Sequence, residues 1–257
     1  MTAVEIKWQG RLGNQLFQYA ALRGLAPTGW RPARPGPVEL LTAFEAPQLR
    51  RKLAQRAVPS RKLVYKEPGF AHSGAVAARL AATGGRAVVL DGFFQSARYW
   101  EPHATEAVRR ELTFKPQACA AAAAALGDPE VVALHVRRGD YVENPCYAQL
   151  GGEYFAAALE EHFPGEAEVV VVSDDPDWCR EHLPWRVVEG GSAAADLCIL
   201  ALCRKGVVMS NSSFSWWGAY LGERPGRTVV CPSSRWFAGP LAHFETSTIA
   251  RPGWRVA

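Results

Sequence analysis

The chain has 257 residues, 48% hydrophobic, 21% charged and 11% aromatic, with a formal net charge of +4 from 29 basic and 25 acidic side chains. This composition supports one large or two small folded domains, and excludes a disordered chain, a collagen-like chain and a small disulfide scaffold. The mild basic excess does not require nucleic acid and suits an anionic small molecule if the charge is focused in a cleft.

No apolar run approaches the roughly 20 residues of a membrane-spanning helix. Residues 1–8 are too short and too charged for a signal peptide. Cys119, Cys146, Cys179, Cys198, Cys203 and Cys231 are scattered without a CxxC pair. They read as free thiols in a reducing, cytoplasmic compartment.

Residues 4–8 alternate as a short strand, with Val4, Ile6 and Trp8 on one face. The turn Gly10-Arg11-Leu12-Gly13-Asn14-Gln15 follows, and then Leu16, Tyr19, Ala20 and Arg23 at helical spacing, with Gly24 as the expected C-cap. Residues 25–62 are broken by prolines and read as irregular. Arg50, Arg51, Lys52, Arg56, Arg61 and Lys62 make this stretch basic, either a solvated face or a surface toward an anion or a membrane. Ala87-Val88-Val89-Leu90 reads as a buried strand, Glu101-Pro102 opens a helix to about Leu112, and Ala118 to Leu126 is helical by propensity. Gly127-Asp128-Pro129 marks the expected boundary between a domain of residues 1–127 and one of residues 128–257, the final residues being candidates to pack back on the first.

Beyond that point strands (131–136, 169–172, 187–188, 207–209, 229–230) alternate with helices (153–163, 176–182, 194–204, 214–221). Such alternation predicts an α/β fold with a parallel sheet covered on both faces, and ligands beyond the carboxyl ends of its strands.

Three clusters fall at strand ends. The first is the glycine turn at 10–15, which lacks the spacing of the dinucleotide fingerprint and by itself is equally a tight turn. The second is His135-Val136-Arg137-Arg138-Gly139-Asp140-Tyr141. Paired guanidinium groups match phosphate oxygens, the competing reading being a structural Arg–Asp ion pair. The third, Ser210-Asn211-Ser212-Ser213-Phe214-Ser215-Trp216-Trp217, opens a helix. It offers hydroxyl and N–H donors to an anion beyond the single serine that an N-cap needs. Trp216 and Trp217 read as packing residues. Ser173-Asp174-Asp175 is either a divalent-metal pair or the cap of the following helix, and capping is favoured.

GRLGNQLFQYA, GFFQSARYW, HVRRGDY, VVVSDDPDWC and SNSSFSWWGAYL resemble, in that order, the motifs of the alpha-1,2-fucosyltransferases, glycosyltransferase family eleven, over about residues 4–237. The stretch from Leu25 to about Ser60 departs from the resemblance, being shorter and richer in proline. The resemblance implies a GT-B-like fold, two Rossmann-like domains facing across a cleft, the first on the acceptor side and the second binding a GDP-sugar. It implies GDP-fucose as donor, a galactose-terminated glycan as acceptor, inversion, and no metal or other cofactor. It places Arg137 at the diphosphate with Arg138 in support, and His135 and Asp196 near the ribose and guanine. Ser212, Ser213 and Ser215 lie by the phosphates, in the loop with Asn211 and Phe214, and Gly13, Asn14 and Gln15 close over diphosphate and fucose.

Charge that builds on a departing diphosphate must be neutralised by a metal or by fixed cations and N–H dipoles, and two arginines with a helix N-terminus are present. The acceptor hydroxyl needs a base. Asp140 is the favoured candidate, with holding an arginine as its competing role. His135 has a suitable titration range, and Asn14 can only orient a hydroxyl. Transfer of another GDP-sugar and a non-catalytic nucleotide-sugar-binding module are the other open functions, since fold alone does not fix chemistry. No membrane-spanning segment and no nucleic-acid partner is expected, and peripheral membrane contact through residues 50–62 stays open.

Overall fold

A computed structural model describes residues 3–55, 62–101, 103–165, 168–233 and 236–257. The chain divides into two compact units, Met1–Thr113 with Glu245–Ile249, and Phe114–Phe244 with Ala250–Ala257. Among the described residues no helix is long and apolar enough to cross a membrane.

The first unit contains β1 (Val4–Ile6), α1 (Leu12–Leu25), α2 (Val38–Ala43), α3 (Pro47–Ala54), β2 (Leu63–Lys66), α4 (Ala75–Ala81), β3 (Val88–Asp91) and α5 (Thr105–Glu111). Its sheet runs β1-β3-β2, all parallel, with Val4 opposite Val88 and Leu63 opposite Val88 on the other side. Alternation sorts the faces as the sequence predicts: Val4, Ile6, Val88 and Leu90 are buried, while Glu5 and Val89 are only half-buried. The return segment is tied in by Ser96, which donates to the Thr248 carbonyl (2.7 Å), and by the Thr248 hydroxyl, which accepts from the His72 N–H (2.7 Å).

Several expectations here are corrected. Gly24 lies inside α1, and the helix ends at Ala26, whose N–H reaches the Leu22 carbonyl. A side chain at Gly24 would collide with the Tyr99 carbonyl and Trp100, so this glycine serves close approach rather than a turn. The irregular stretch contains two helices, with Pro47 opening α3, a position where the missing N–H costs nothing. Its basic residues are not simply solvated. Arg50 donates to the Glu45 (2.7 Å), Phe44 (3.1 Å) and Leu41 carbonyls, Lys52 donates to the Trp30 carbonyl (2.8 Å), and Lys62 pairs with Glu5 (2.6 Å). Arg56 and Arg61 lie outside the described residues. Helix α5 starts at Thr105 rather than Glu101. Strand β2 was not expected because it is a short, half-exposed edge strand without an apolar run.

The second unit contains α6 (Pro116–Leu126), β4 (Val132–Val136), α7 (Gly152–His162), β5 (Val169–Ser173), α8 (Pro176–His182), β6 (Arg186–Val187), α9 (Ala193–Leu202), β7 (Gly206–Val208), α10 (Ser213–Leu221), β8 (Thr228–Cys231) and β9 (Arg255–Val256). The division thus falls after Thr113 and not at residue 127. The alanine helix α6 buries Ala118, Ala122 and Leu126 and packs on α9, small side chains allowing the close approach. The chain end is split as well: Glu245–Ile249 joins the first unit, whereas β9 extends the second unit's sheet by pairing with β8.

The second sheet is parallel throughout, in the order β6-β5-β4-β7-β8-β9. Counted along the chain from β4, the strands run third, second, first, fourth, fifth, sixth, the order of dinucleotide-binding sheets, whose topological switch point lies between the first and fourth. Here that point is between β4 and β7. Val132, Leu134, Val136, Val171, Val208 and Val230 form the core with Phe155, Ala158 and Cys179, each large side chain contributing on the order of 1.5–3 kcal/mol. Trp216 and Trp217 are fully buried, as their reading as packing residues requires.

Arg227 clamps this unit from within. It donates to the carbonyls of Cys203 (2.9 Å), Ala219 (2.9 Å) and Leu200, closing the ends of α9 and α10, and burial lowers its pKa to about 10. Arg227→Met leaves these acceptors without a donor and is expected to cost roughly 3–5 kcal/mol. Denaturant unfolding measures this, and a loss below about 1 kcal/mol would show the carbonyls to be satisfied otherwise.

Candidate functional site

The carboxyl ends of β4 and β7 bring two of the three sequence clusters together. In the register of β4 with β5, Val136 lies opposite Ser173, so Arg137 and Arg138 emerge beside Asp174 and Asp175. The Ser173 hydroxyl donates to the Val136 carbonyl (2.8 Å) and fixes the two strand ends. Arg137 pairs through Nη1 with Asp174 (2.7 Å) and through Nη2 with Asp140, and its guanidinium lies over the Tyr141 ring. Its Nε is buried without a hydrogen-bond partner among the described residues. An orphaned buried donor of this kind is costly unless an acceptor or a water reaches it.

Arg138 is engaged differently. Its N–H donates to Asp174 (2.9 Å), its Nε pairs with Asp175 (3.1 Å), and its guanidinium stacks on Trp178 at 3.7 Å. Asp175 also caps α8 by accepting from the Trp178 N–H (3.3 Å), the favoured reading of this pair. Both carboxylates are therefore occupied by arginines. Among the described residues no group of three or more His, Cys, Asp or Glu side chains is arranged to hold a metal. Gly139 has no room for a side chain, because a Cβ would collide with the Asp174 carboxylate. Asp140 sits on a single helical turn and is 63% exposed, whereas Asp174 is 20% exposed and held from two sides.

His135 is 3% exposed. Its Nδ1 lies 2.9 Å from the Ser210 hydroxyl, and its ring faces Phe214 with centroids 5.2 Å apart. Burial, and then the nearby Arg137 charge, lower its pKa to about 3. His135 is thus a neutral tie across the switch point and a poor proton acceptor.

The serine cluster is more structural than the sequence suggests. Ser212 caps α10 through the Phe214 N–H (3.2 Å). Ser215 is fully buried and donates to the Ser210 and Ser212 carbonyls (both 3.0 Å). Asn211 donates to the Ala148 (2.8 Å) and Trp236 (2.9 Å) carbonyls, while its own carbonyl accepts from the Tyr141 hydroxyl (3.3 Å). Ser213 and Phe214 stay half-buried at the start of the helix. What remains for an anion is chiefly the opening N–H groups of α10.

Asp196 lies in the first turn of α9, the helix that follows β6 in the chain and packs against α10, β4 and β5. Its carboxylate accepts from the Gly190 N–H (2.7 Å), and burial raises its pKa. In the first unit, Gln15 is buried and links the Gly10 carbonyl (3.2 Å) to the Leu40 N–H (3.1 Å). Gly13 is buried, and the half-exposed Asn14 accepts from Gln95 (2.8 Å). The α1 N-terminus already receives a carboxylate, since Glu39 accepts from the Leu12 N–H (2.8 Å). Gly10, with φ +68°, is required where a Cβ would strike Asn14.

Glu67, just past β2, escaped the sequence reading because it stands alone. It accepts from the N–H groups of Phe93 (2.8 Å) and Phe94 (2.7 Å) and from the Tyr99 hydroxyl (3.1 Å), holding Phe94 at φ +55°, a strained setting for an aromatic residue. Burial raises its pKa from 4.5 to about 7 despite these donors. The folded state therefore binds a proton that the unfolded chain releases. The associated stability is complete below the unfolded pKa and is lost as pH rises through 7. Wild-type stability is expected to fall across that window by up to about 1.4 kcal/mol per pH unit from this group. Glu67→Gln removes that slope, and parallel stability–pH curves for the two proteins would overturn the assignment.

Three comparisons with known proteins bear on this arrangement. The model of "Glycosyl transferase family 11" matches residues 2–256. An Escherichia coli "O-antigen biosynthesis glycosyltransferase WbnK" is 34% identical over 41% of this chain and 39% of its own length. An E. coli "Alpha-1,2-colitosyltransferase" is 30% identical over 57% of this chain and 55% of its own. Gorilla "Galactoside alpha-(1,2)-fucosyltransferase 1" is 26% identical over 82% of this chain and 63% of its own. The chain thus spans less than two thirds of the length of these curated relatives. Among solved structures, fucosyltransferase NodZ from Bradyrhizobium superposes with a TM-score of 0.56 at 16% identity, over 84% of this chain and 91% of that one. At that identity the likeness concerns the fold alone, which is α/β and GT-B-like, as expected. With a family model matched along nearly its whole length, this chain belongs to glycosyl transferase family 11.

Proposed function

We propose that this chain transfers L-fucose from GDP-β-L-fucose to the 2-hydroxyl of a terminal galactose on a glycan, with inversion and without a bound metal. The observation that carries the reading is Arg137, which stands at the carboxyl end of β4, beside the switch point, with its Nε lacking a partner among the described residues. The adjacent strand β7 leads into the N-terminus of α10. Family membership and the names of the curated relatives support the reaction class.

In this proposal the departing diphosphate exchanges with Asp140 for the Arg137 guanidinium. Asp140 is the partner free to leave, being exposed and on a short turn, whereas Asp174 is fixed by the Arg138 N–H and closed off by Gly139. Arg137 and the opening N–H groups of α10 then stabilise the charge that develops on the leaving group. Arg138 acts as a positioning residue through Asp174 and Asp175. Asp140, released from Arg137, is the proposed base for the acceptor hydroxyl. His135 keeps its place as the neutral tie to Ser210 under the nucleotide site. The first unit is the proposed acceptor side.

A second reading, transfer of colitose in place of fucose, is favoured by the colitosyltransferase relative. A thermal-shift panel of GDP, UDP, CDP and their sugars tests the donor class, and GDP-fucose against GDP-colitose separates the two sugars. Stabilisation by GDP compounds alone is expected, and a preference for UDP would overturn the proposal. EDTA is expected to leave transfer unchanged. Loss restored by Mn²⁺ would instead make Asp174 and Asp175 metal ligands.

Arg137→Ala is expected to lower transfer by about a hundredfold or more, near 3 kcal/mol, with the fold intact; full activity would refute its role. Asp140→Asn is expected to abolish transfer while GDP binds as well as before or tighter, because one competing carboxylate is gone. Unchanged transfer would remove Asp140 as the base.

A further inference from the structure

The first unit contains a cavity of about 900 Å³, within the roughly 300–1,000 Å³ range of small-molecule sites. It lies over the half-buried face of the β1-β3-β2 sheet, where Glu5 and Val89 line it, and under the proline-rich segment from Arg31 to Pro37. Trp8 also lines it, and its indole Nε1 donates to the Ala33 carbonyl (3.1 Å), which fixes the ring. A fixed aromatic ring beside polar groups suits a ligand with both apolar and polar edges.

The charges around the cavity do not cancel. Glu5 is paired with Lys62 (2.6 Å) and Lys7 with Asp91 (3.3 Å), while Glu39 accepts from the Leu12 N–H (2.8 Å) and stays as the one carboxylate of the lining without a cationic partner among the described residues. Three lining cations remain. Arg34 donates to the Leu53 and Gln55 (2.8 Å) carbonyls, and Lys52 to the Trp30 carbonyl (2.8 Å). Carbonyl partners position a cation without neutralising it. Arg31 has no side-chain partner among the described residues, and none of the three has a carboxylate partner there. Burial lowers the pKa of Lys52, and so does crowding by Arg23, Arg51 and Arg31, a repulsion that an incoming anion would relieve.

Resting on the transferase reading above, we infer that this cavity binds a sugar unit of the acceptor glycan that carries an anionic oxygen group, a carboxylate or a phosphate, on Arg31, Arg34 and Lys52. The guanidinium fork matches either group. The basic stretch noted in the sequence then has a role: Lys52 and Lys62 both line the cavity, and Lys52 is the one without a carboxylate partner among the described residues.

The test is calorimetric titration, with GDP present, of a galactose-terminated disaccharide in three forms: neutral, with a uronic carboxylate, and with a sugar phosphate. At least one charged form is expected to bind roughly tenfold tighter than the neutral one, with the advantage shrinking as salt rises. The charged form that binds identifies the group. Arg31→Gln and Lys52→Met are each expected to remove most of the advantage. Arg31→Gln keeps the fold, since the structural bond of Arg31 is from its backbone N–H to the Val4 carbonyl (2.7 Å). Equal affinity for all three forms, or an advantage that survives both substitutions, would overturn the inference. Titration of GDP alone separates the two readings. GDP binding with no preference for a charged glycan sinks this site and leaves the transferase. A preference lost on Arg31→Gln in a chain that does not bind GDP leaves the site and sinks the transferase.

Discussion

Asp174 accepts from the guanidinium of Arg137 and from the backbone N–H of Arg138, and it closes against Gly139, where no side chain fits. One carboxylate thereby sets both the direction in which the chain leaves β4 and the orientation of its first arginine. The arrangement exists because β4 and β5 are parallel and in register, so that consecutive strand ends deliver basic and acidic residues to the same rim. The other features of this rim build outward from it: the turn bearing Asp140, the Tyr141 hydroxyl on the Asn211 carbonyl, and the His135–Ser210 tie to the loop before α10.

The electrostatics of the rim favour exchange over simple addition. Two guanidinium groups stand among three carboxylates, Asp140, Asp174 and Asp175. An anion arriving at this rim meets charges that are already paired, so a phosphate oxygen gains most by replacing the most exposed carboxylate. Asp140 is 63% exposed and is solvated by water once displaced, whereas Arg137, at 11%, still needs an acceptor and takes it from the incoming anion. Arg138 shows the contrast. Stacked on Trp178 and paired with Asp175, it holds the rim rather than offering a free charge.

The first unit follows a different logic. Its short sheet buries one face against α1 and its neighbours, and carries charged side chains such as Glu5 on the other. The cavity over that second face is lined by Arg34 and Lys52, whose partners are carbonyl oxygens, and by Arg31, whose side chain has no partner among the described residues; the Arg31–Pro37 segment that lines it belongs to the proline-rich stretch of the sequence. A proline-rich segment and an uncompensated charge therefore occur in the same place. In the proposal made above, that is the place where a charged glycan is told from a neutral one.

The strand–helix alternation of the second half, its parallel pairing and the clusters at the ends of β4 and β7 were legible from residue patterns, because hydrophobic periodicity and strand-end position are local properties. The partners of those clusters were not. Nothing in the order Ser173-Asp174-Asp175 says that its carboxylates meet Arg137 and Arg138, since that depends on strand register. The serines of 210–215 look like free donors until burial and α10 geometry show Ser212 and Ser215 bonded to their own backbone. The domain division also needed tertiary contacts: an alanine helix has no local mark of the unit it joins, and α6 belongs with α9 because their small faces fit. Amino-acid order alone settled the fold class and the location of the rim. Packing, through burial, register and charge pairing across distant segments, decided which of the rim's polar groups remain for a ligand.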